Sequence, residues 1–153
     1  MIFEKILFPT DFSTVANKTI NYVKKLKEAG TKKVVVLHVI DKRVIDAIAK
    51  YEVIRSKDHH NKSLGTMEKE IIEDRQKELE KIVVVLENHG FEVTSIMKSG
   101  TPVKQILKTE EEQDVSAIVI GSHGKSSKVE EFFMGLVSER VIRRSKKPVL
   151  VVK

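Results

Sequence analysis

The sequence predicts an α/β protein built on an open five-stranded parallel sheet with helices on both faces, Rossmann-like in its winding. Three observations carry that expectation. β-Branched runs such as VVVLHV, VSAIVI and VLVV recur along the chain, too short and too branched for free-standing helices and fitted to buried strands. Longer segments between them place apolar residues at three- and four-residue spacing, the period of a helix with one buried face. Strands that alternate with helices pair in parallel through right-handed crossovers, which puts helices on both faces of the sheet.

The elements follow in order. Residues 3–8, FEKILF, end at Pro9 and read as the first strand. Ser13 is placed to cap a helix whose inner face is Ala16, Ile20, Val23 and Leu26, with Gly30 as its stop. Residues 33–40 form the second strand and carry Val39, Ile40 and Asp41 at its end. Val44, Ile45, Ile48 and Tyr51 suggest a short amphipathic helix, but SKDHHNKS beyond it is polar and unpatterned, so residues 42–64 read as a flexible excursion.

A long helix is expected over about 66–88, with Ile71, Ile72, Leu79, Ile82, Val83 and Leu86 inward and a Glu73–Lys77 pair outward. Its run IVVVL favours a strand by propensity, yet the surrounding helical charge pattern and Gly90 as a stop outweigh that. Residues 91–97 make a third, more polar strand near the sheet edge. Thr101 and Pro102 are a cap followed by proline at the first helical position, and Val103, Ile106 and Leu107 face inward. The acidic run EEEQD at 110–114 would oppose the dipole of that helix and reads as a solvated turn. Residues 115–120 are the fourth strand. A last helix turns Val129, Phe132, Phe133, Leu136, Val137 and Val141 inward, and Pro148 opens the fifth strand.

Composition narrows the function. With 153 residues the chain suits one domain, 1–153. The absence of cysteine excludes disulfides, a thiol nucleophile, iron–sulfur clusters and cysteine-rich zinc folds. No apolar run approaches the ~18 residues of a membrane span, and no cleavage-type segment follows the first residues, so a cytoplasmic protein is expected. The net charge of +6 is spread out: Lys and Arg outnumber Asp and Glu by 12 to 7 in residues 1–60, trail them 6 to 8 in 61–100, and lead 10 to 7 in 101–153. Aromatics are only 5%, which supplies few stacking platforms and argues against nucleic acid as the partner.

Ligands of doubly wound sheets bind beyond the carboxyl ends of the strands, and three loops stand there: PTDFS, VID and GSHGKSS. In the last, Gly121 and Gly124 let backbone amides approach a phosphate at a helix N-terminus, with Lys125, Ser126, Ser127 and Lys128 as further donors; an ordinary strand-to-helix turn would use the same glycines. Asp11 could accept from a sugar hydroxyl or cap the following helix. Ser13 has no His–Asp partners at a spacing suited to a nucleophile. The adjacent His59 and His60 lack ligand spacing for a metal, His38 lies in an apolar strand, His89 at a helix end, and His123 in the glycine loop.

Taken together, KILFPTDFS, VVVLHVID and GSHGKSSKVEEFFMGLVSERVIRRSKKPVLVVK resemble the universal stress protein family over nearly the whole chain. The resemblance implies the adenine nucleotide alpha hydrolase-like form of the sheet, with 42–64 as the variable segment. It also implies a homodimer in which the last strands, 148–153, pair. Nucleotide-binding members hold ATP with a motif GxxGx9G followed by Ser or Thr. By that likeness Gly121, Gly124 and Gly135 supply the glycines, Lys125 and Ser138 the donors, Asp11 the acid near the adenosine with Pro9 and Thr10 beside it, and Val39 the contact to the base. Leu136 and Val137 follow the last glycine.

Two departures stand out: ten residues separate Gly124 from Gly135 instead of nine, and Leu136 replaces the expected hydroxyl. The expected function is therefore a stress-response protein that binds ATP or a related adenine nucleotide, with Mg2+ or Mn2+ on its phosphates, as a non-catalytic or very slow switch. The alternative is a nucleotide-free dimeric signalling module in which the phosphate site is lost.

Overall fold

The computed structural model describes residues 2–56, 64–123 and 135–153. Five strands, β1 (Lys5–Pro9), β2 (Lys33–Asp41), β3 (Glu92–Gly100), β4 (Ala117–Gly121) and β5 (Val149–Val152), form one sheet in the order β3-β2-β1-β4-β5. Every pairing is parallel, as Leu7 opposite Val35 and Ile118 on its two sides illustrates. The order reverses direction at β1, which opens a crevice between the loops that follow β1 and β4.

Among the described residues, five helices connect the strands: α1 (Thr14–Lys25), α2 (Lys42–Ser56), α3 (Leu64–Asn88), α4 (Pro102–Glu112) and α5 (Leu136–Arg144). Alternate residues of the central strands feed two cores. On one face Ile6, Phe8, Val34 and Val36 pack with Val23 of α1 and Leu79, Ile82 and Leu86 of α3. On the other, Leu7, Val35, Leu37 and Ile118 pack with Val103 and Ile106 of α4 and Val141 of α5. Strands buried on both faces explain the uninterrupted apolar runs in the sequence.

Several boundaries differ from the sequence-based expectation for physical reasons. α1 ends at Lys25 and the chain turns through Lys27 and Ala29 before Gly30. α2 starts directly from β2 because Asp41 accepts a hydrogen bond from the Arg43 amide at 2.9 Å, so the first part of 42–64 is helix; residues 57–63 lie outside the described residues. IVVVL is helical within α3, and α3 stops where Gly90 takes φ +89°, a conformation few side chains tolerate. Ile72 is exposed instead of inward, and α3 carries a Glu78–Lys81 pair at 2.9 Å where a Glu73–Lys77 pair was expected.

The acidic run corrects most. Glu110, Glu111 and Glu112 form the last turn of α4, not a solvated turn. Glu110 is buried and its carboxylate accepts from the Lys146 amide at 2.9 Å. Lys146 Nζ bonds Glu111 at 2.6 Å and Lys98 Nζ bonds Glu112 at 2.6 Å. Those hydrogen bonds hold both carboxyls below their ordinary range and raise Lys146. Cations from β3 and from the approach to β5 thus offset the unfavourable dipole of three acids at a helix C-terminus. Thr101 stands at the N-cap of α4 without a side-chain cap bond, and Pro102 occupies the first turn as expected.

Candidate functional site

The site grows from the carboxyl ends of β1, β2 and β4. After β1, the Thr10 amide still donates to Leu37 O on β2 at 2.8 Å, which prolongs the ladder by one bond. The chain then turns sharply. Thr10 Oγ1 accepts from the Phe12 amide at 3.1 Å, Asp11 Oδ1 accepts from the Ser13 amide at 3.0 Å, and Ser13 Oγ caps α1 by accepting from the Ala16 amide at 3.2 Å. These bonds hold Phe12 at φ +62°, a left-handed conformation costly for a bulky residue. Buried His38 of β2 braces the turn from below: its Nδ1 donates to Thr10 O at 2.8 Å and its ring lies 4.4 Å from that of Phe12.

At the end of β4, Gly121 is required by packing. A Cβ there would stand 2.8 Å from Val15 Cγ1, so α1 sits against this strand only because residue 121 has no side chain. Buried Ser122 then ties the site to α5. Its amide donates to Val152 O at 2.7 Å, and its carbonyl accepts from the Gly135 amide at 2.5 Å and from Ser138 Oγ at 2.6 Å. Ser138 Oγ is also 2.9 Å from Gly135 O, and its single proton is committed among these backbone carbonyls. Gly135 is the N-cap of α5 and brings no side-chain cap, so the first amides of this helix keep their capacity for an outside acceptor.

The end of β2 contributes charge. Arg43 forks onto Asp41, with Nε 3.1 Å from both carboxylate oxygens and Nη2 2.6 Å from Oδ2. The Arg43 hydrogen bonds outweigh the effect of burial and hold the Asp41 carboxyl below its ordinary range. Together these parts enclose a cavity of about 340 Å3, large enough for a small organic ligand. Of the residues expected from the sequence, Pro9, Thr10, Asp11, Val39, Gly121, Val137 and Ser138 line it.

Gly135 and Leu136 are not among the lining residues. Gly135 stands one hydrogen bond behind it on Ser122, and Leu136 is 62% exposed, pointing neither inward nor into the site as the helical period had suggested. Gly124 and Lys125 lie outside the described residues, as do Val129, Phe132 and Phe133. The cavity also gathers side chains not named above as ligand contacts: His38, Asp41, Arg43, Pro102 and Ile106, together with Arg75 of α3. Asp41 was legible as the last residue of VVVLHVID; Arg75 carried no signal, because nothing local links the middle of α3 to the sheet end.

Among the described residues no group of three His, Asp or Glu side chains could hold a metal ion, and no helix is long and apolar enough to cross a membrane.

Comparison with known proteins adds a consistent result. The family model described as the universal stress protein family matches residues 2–153. Universal stress protein MJ0577 of Methanocaldococcus jannaschii is 38% identical over 157 residues, covering 100% of this chain and 96% of the relative. The solved structure of MJ0577 superposes with a TM-score of 0.83 at 36% identity, covering 100% of this chain and 97% of that one. A universal stress protein from Archaeoglobus fulgidus, solved in complex with dAMP, shares the fold at a TM-score of 0.63 and 23% identity, each chain covered fully.

Proposed function

Because the chain belongs to the universal stress protein family, we propose that it binds ATP or a related adenine nucleotide in the cavity beyond β1, β2 and β4, and that it acts as a non-catalytic or very slow nucleotide-dependent switch in a homodimer. The observation that carries the proposal is the convergence of the family-like residues Pro9, Thr10, Asp11, Val39, Gly121 and Ser138 on one cavity at the reversal of strand order. The fold itself accommodates an adenine nucleotide in the Archaeoglobus protein solved with dAMP.

In this reading Val39, Pro102 and Ile106 offer the base an apolar slot. Asp11, whose carboxylate accepts from the Ser13 amide, orients the ribose or base. The amides at the start of α5, backed by the helix dipole, receive phosphate oxygens, with Gly124 and Lys125 as further donors. A divalent cation such as Mg2+ or Mn2+ would be held chiefly by the phosphates and would neutralise their charge. The exposed edge of β5, residues 148–153, pairs with a second copy.

Calorimetry with ATP and Mg2+ or Mn2+ tests the proposal: saturable binding is expected, and no binding at millimolar nucleotide to verified folded protein overturns it. Sedimentation tests the dimer, and pairing through β5 predicts that proline at Leu150 yields a monomer.

A second reading has its own support. Leu136 offers no hydroxyl, and Ser138 already donates to backbone. A missing neutral hydrogen bond costs about 0.5–1.5 kcal/mol, a weakening of about tenfold at most. If the phosphate site is lost altogether, the dimer works without nucleotide. Protein purified without added nucleotide then releases no adenine absorbance on denaturation, and ATP leaves its melting temperature unchanged.

A further inference from the structure

Arg75 is the unassigned charge in this cavity. It projects from α3 and is partly buried, yet among the described residues it forms no ion pair and no side-chain hydrogen bond. Asp41, a carboxylate that lines the same cavity, is engaged elsewhere: both its oxygens accept from the Arg43 fork and one also from the Arg43 amide. A half-buried guanidinium without a carboxylate has given up hydration without internal compensation, which is a common condition for a group whose partner is a ligand.

Its place in the fold says which part of a ligand it meets. α3 packs on β2 and β3, whereas the amides suited to phosphate lie beyond β4. In the order β2-β1-β4 the two ends of the cavity are separated by two strand spacings, about 9–10 Å. Beside the Asp41–Arg43 pair, the β2 end of the cavity has an apolar wall of Val39, Pro102 and Ile106. An apolar slot closed by a planar, weakly hydrated cation matches an aromatic ring system better than an anion.

Resting on the nucleotide reading above, we propose that Arg75 is a base-specificity residue: its guanidinium stacks against the purine and closes the slot, and it does not bind phosphate. Arg75 then strengthens every adenine ligand by the same factor, whatever its phosphate count, and a purine gains more than a pyrimidine because it presents a larger π face.

The test measures binding of adenosine, AMP and ATP by calorimetry to the intact chain and to Arg75→Ala and Arg75→Lys. Circular dichroism confirms the fold; alanine in a helix is well tolerated. The expected result is a loss of about fivefold to thirtyfold in R75A, equal for the three ligands, with R75K recovering only part because lysine keeps the charge but not the plane. A wild-type chain that binds none of the three overturns the nucleotide reading and this one together. Wild-type binding that R75A leaves unchanged, or a loss that grows with phosphate number and is fully restored by R75K, overturns this inference alone.

Discussion

Gly121→Ala separates two roles that a glycine in a nucleotide loop can have. The added Cβ would lie 2.8 Å from Val15 Cγ1 and 3.5 Å from Thr19 Oγ1, while ordinary contact begins near 3.4 Å. Val15 would have to retreat by about 0.6 Å, against a helix that Ser13 caps and whose buried residues Ala16, Thr19 and Val23 face the sheet. Forcing one methyl into such a contact costs about 1–3 kcal/mol. In a chain of this length a central value of about 2 kcal/mol lowers Tm by about 4–8 °C.

A double-mutant cycle supplies the control. Val15→Ala removes the opposing methyl and costs about 1 kcal/mol by itself, but it should recover most of the penalty of G121A, giving a coupling of about 1–2 kcal/mol. Thermal and urea unfolding of the four proteins, without nucleotide, read it directly. If G121A is as stable as the wild type, or if the two substitutions simply add, the glycine is not there for packing. Its absent side chain would then have to serve ligand approach alone.

Two further outcomes follow from described contacts. Glu110→Ala orphans the buried Lys146 amide and should cost about 1–3 kcal/mol in urea unfolding, whereas Glu110→Gln, which keeps an acceptor, should cost clearly less; equal losses would refute the bond's role. The Asp41 carboxyl is held low by Arg43, so its contribution to stability is complete above the ordinary Asp value of about 3.9 and is lost as pH falls through the lowered folded value. Arg43→Ala should therefore raise the Asp41 pKa in a carboxyl NMR titration, and an unchanged value would show that the fork does not hold in solution.

The sheet was legible because its determinants are local: a fully buried strand must be apolar on both faces, and VVVLHV and VSAIVI read that way without knowledge of their neighbours. The cap at Ser13 and the first-turn proline Pro102 were legible for the same reason. What failed was set by distant partners. The acidic end of α4 became helical because Lys98 and Lys146, remote in sequence, lie against it. Leu136 satisfied the helical period yet sits in the exposed first turn of α5. In the site, residues at strand ends could be placed from the pattern, since strand ends converge by topology. Arg75 and Pro102 reach the cavity from helices, whose approach depends on packing that no local window contains.

The carbonyl of Ser122 has a consequence for length variation. By holding both the Gly135 amide and Ser138 Oγ, it fixes where α5 begins whatever the chain does between residues 123 and 134. Lengthening that stretch by one residue adds only about 0.1 kcal/mol of closure entropy. In the proposed site, a tenth residue between Gly124 and Gly135 would then not by itself require the helix that faces the phosphate to move. The constraint on that frame falls on its two anchor points, Ser122 and the turn from Gly135 to Ser138, which together set where the helix begins.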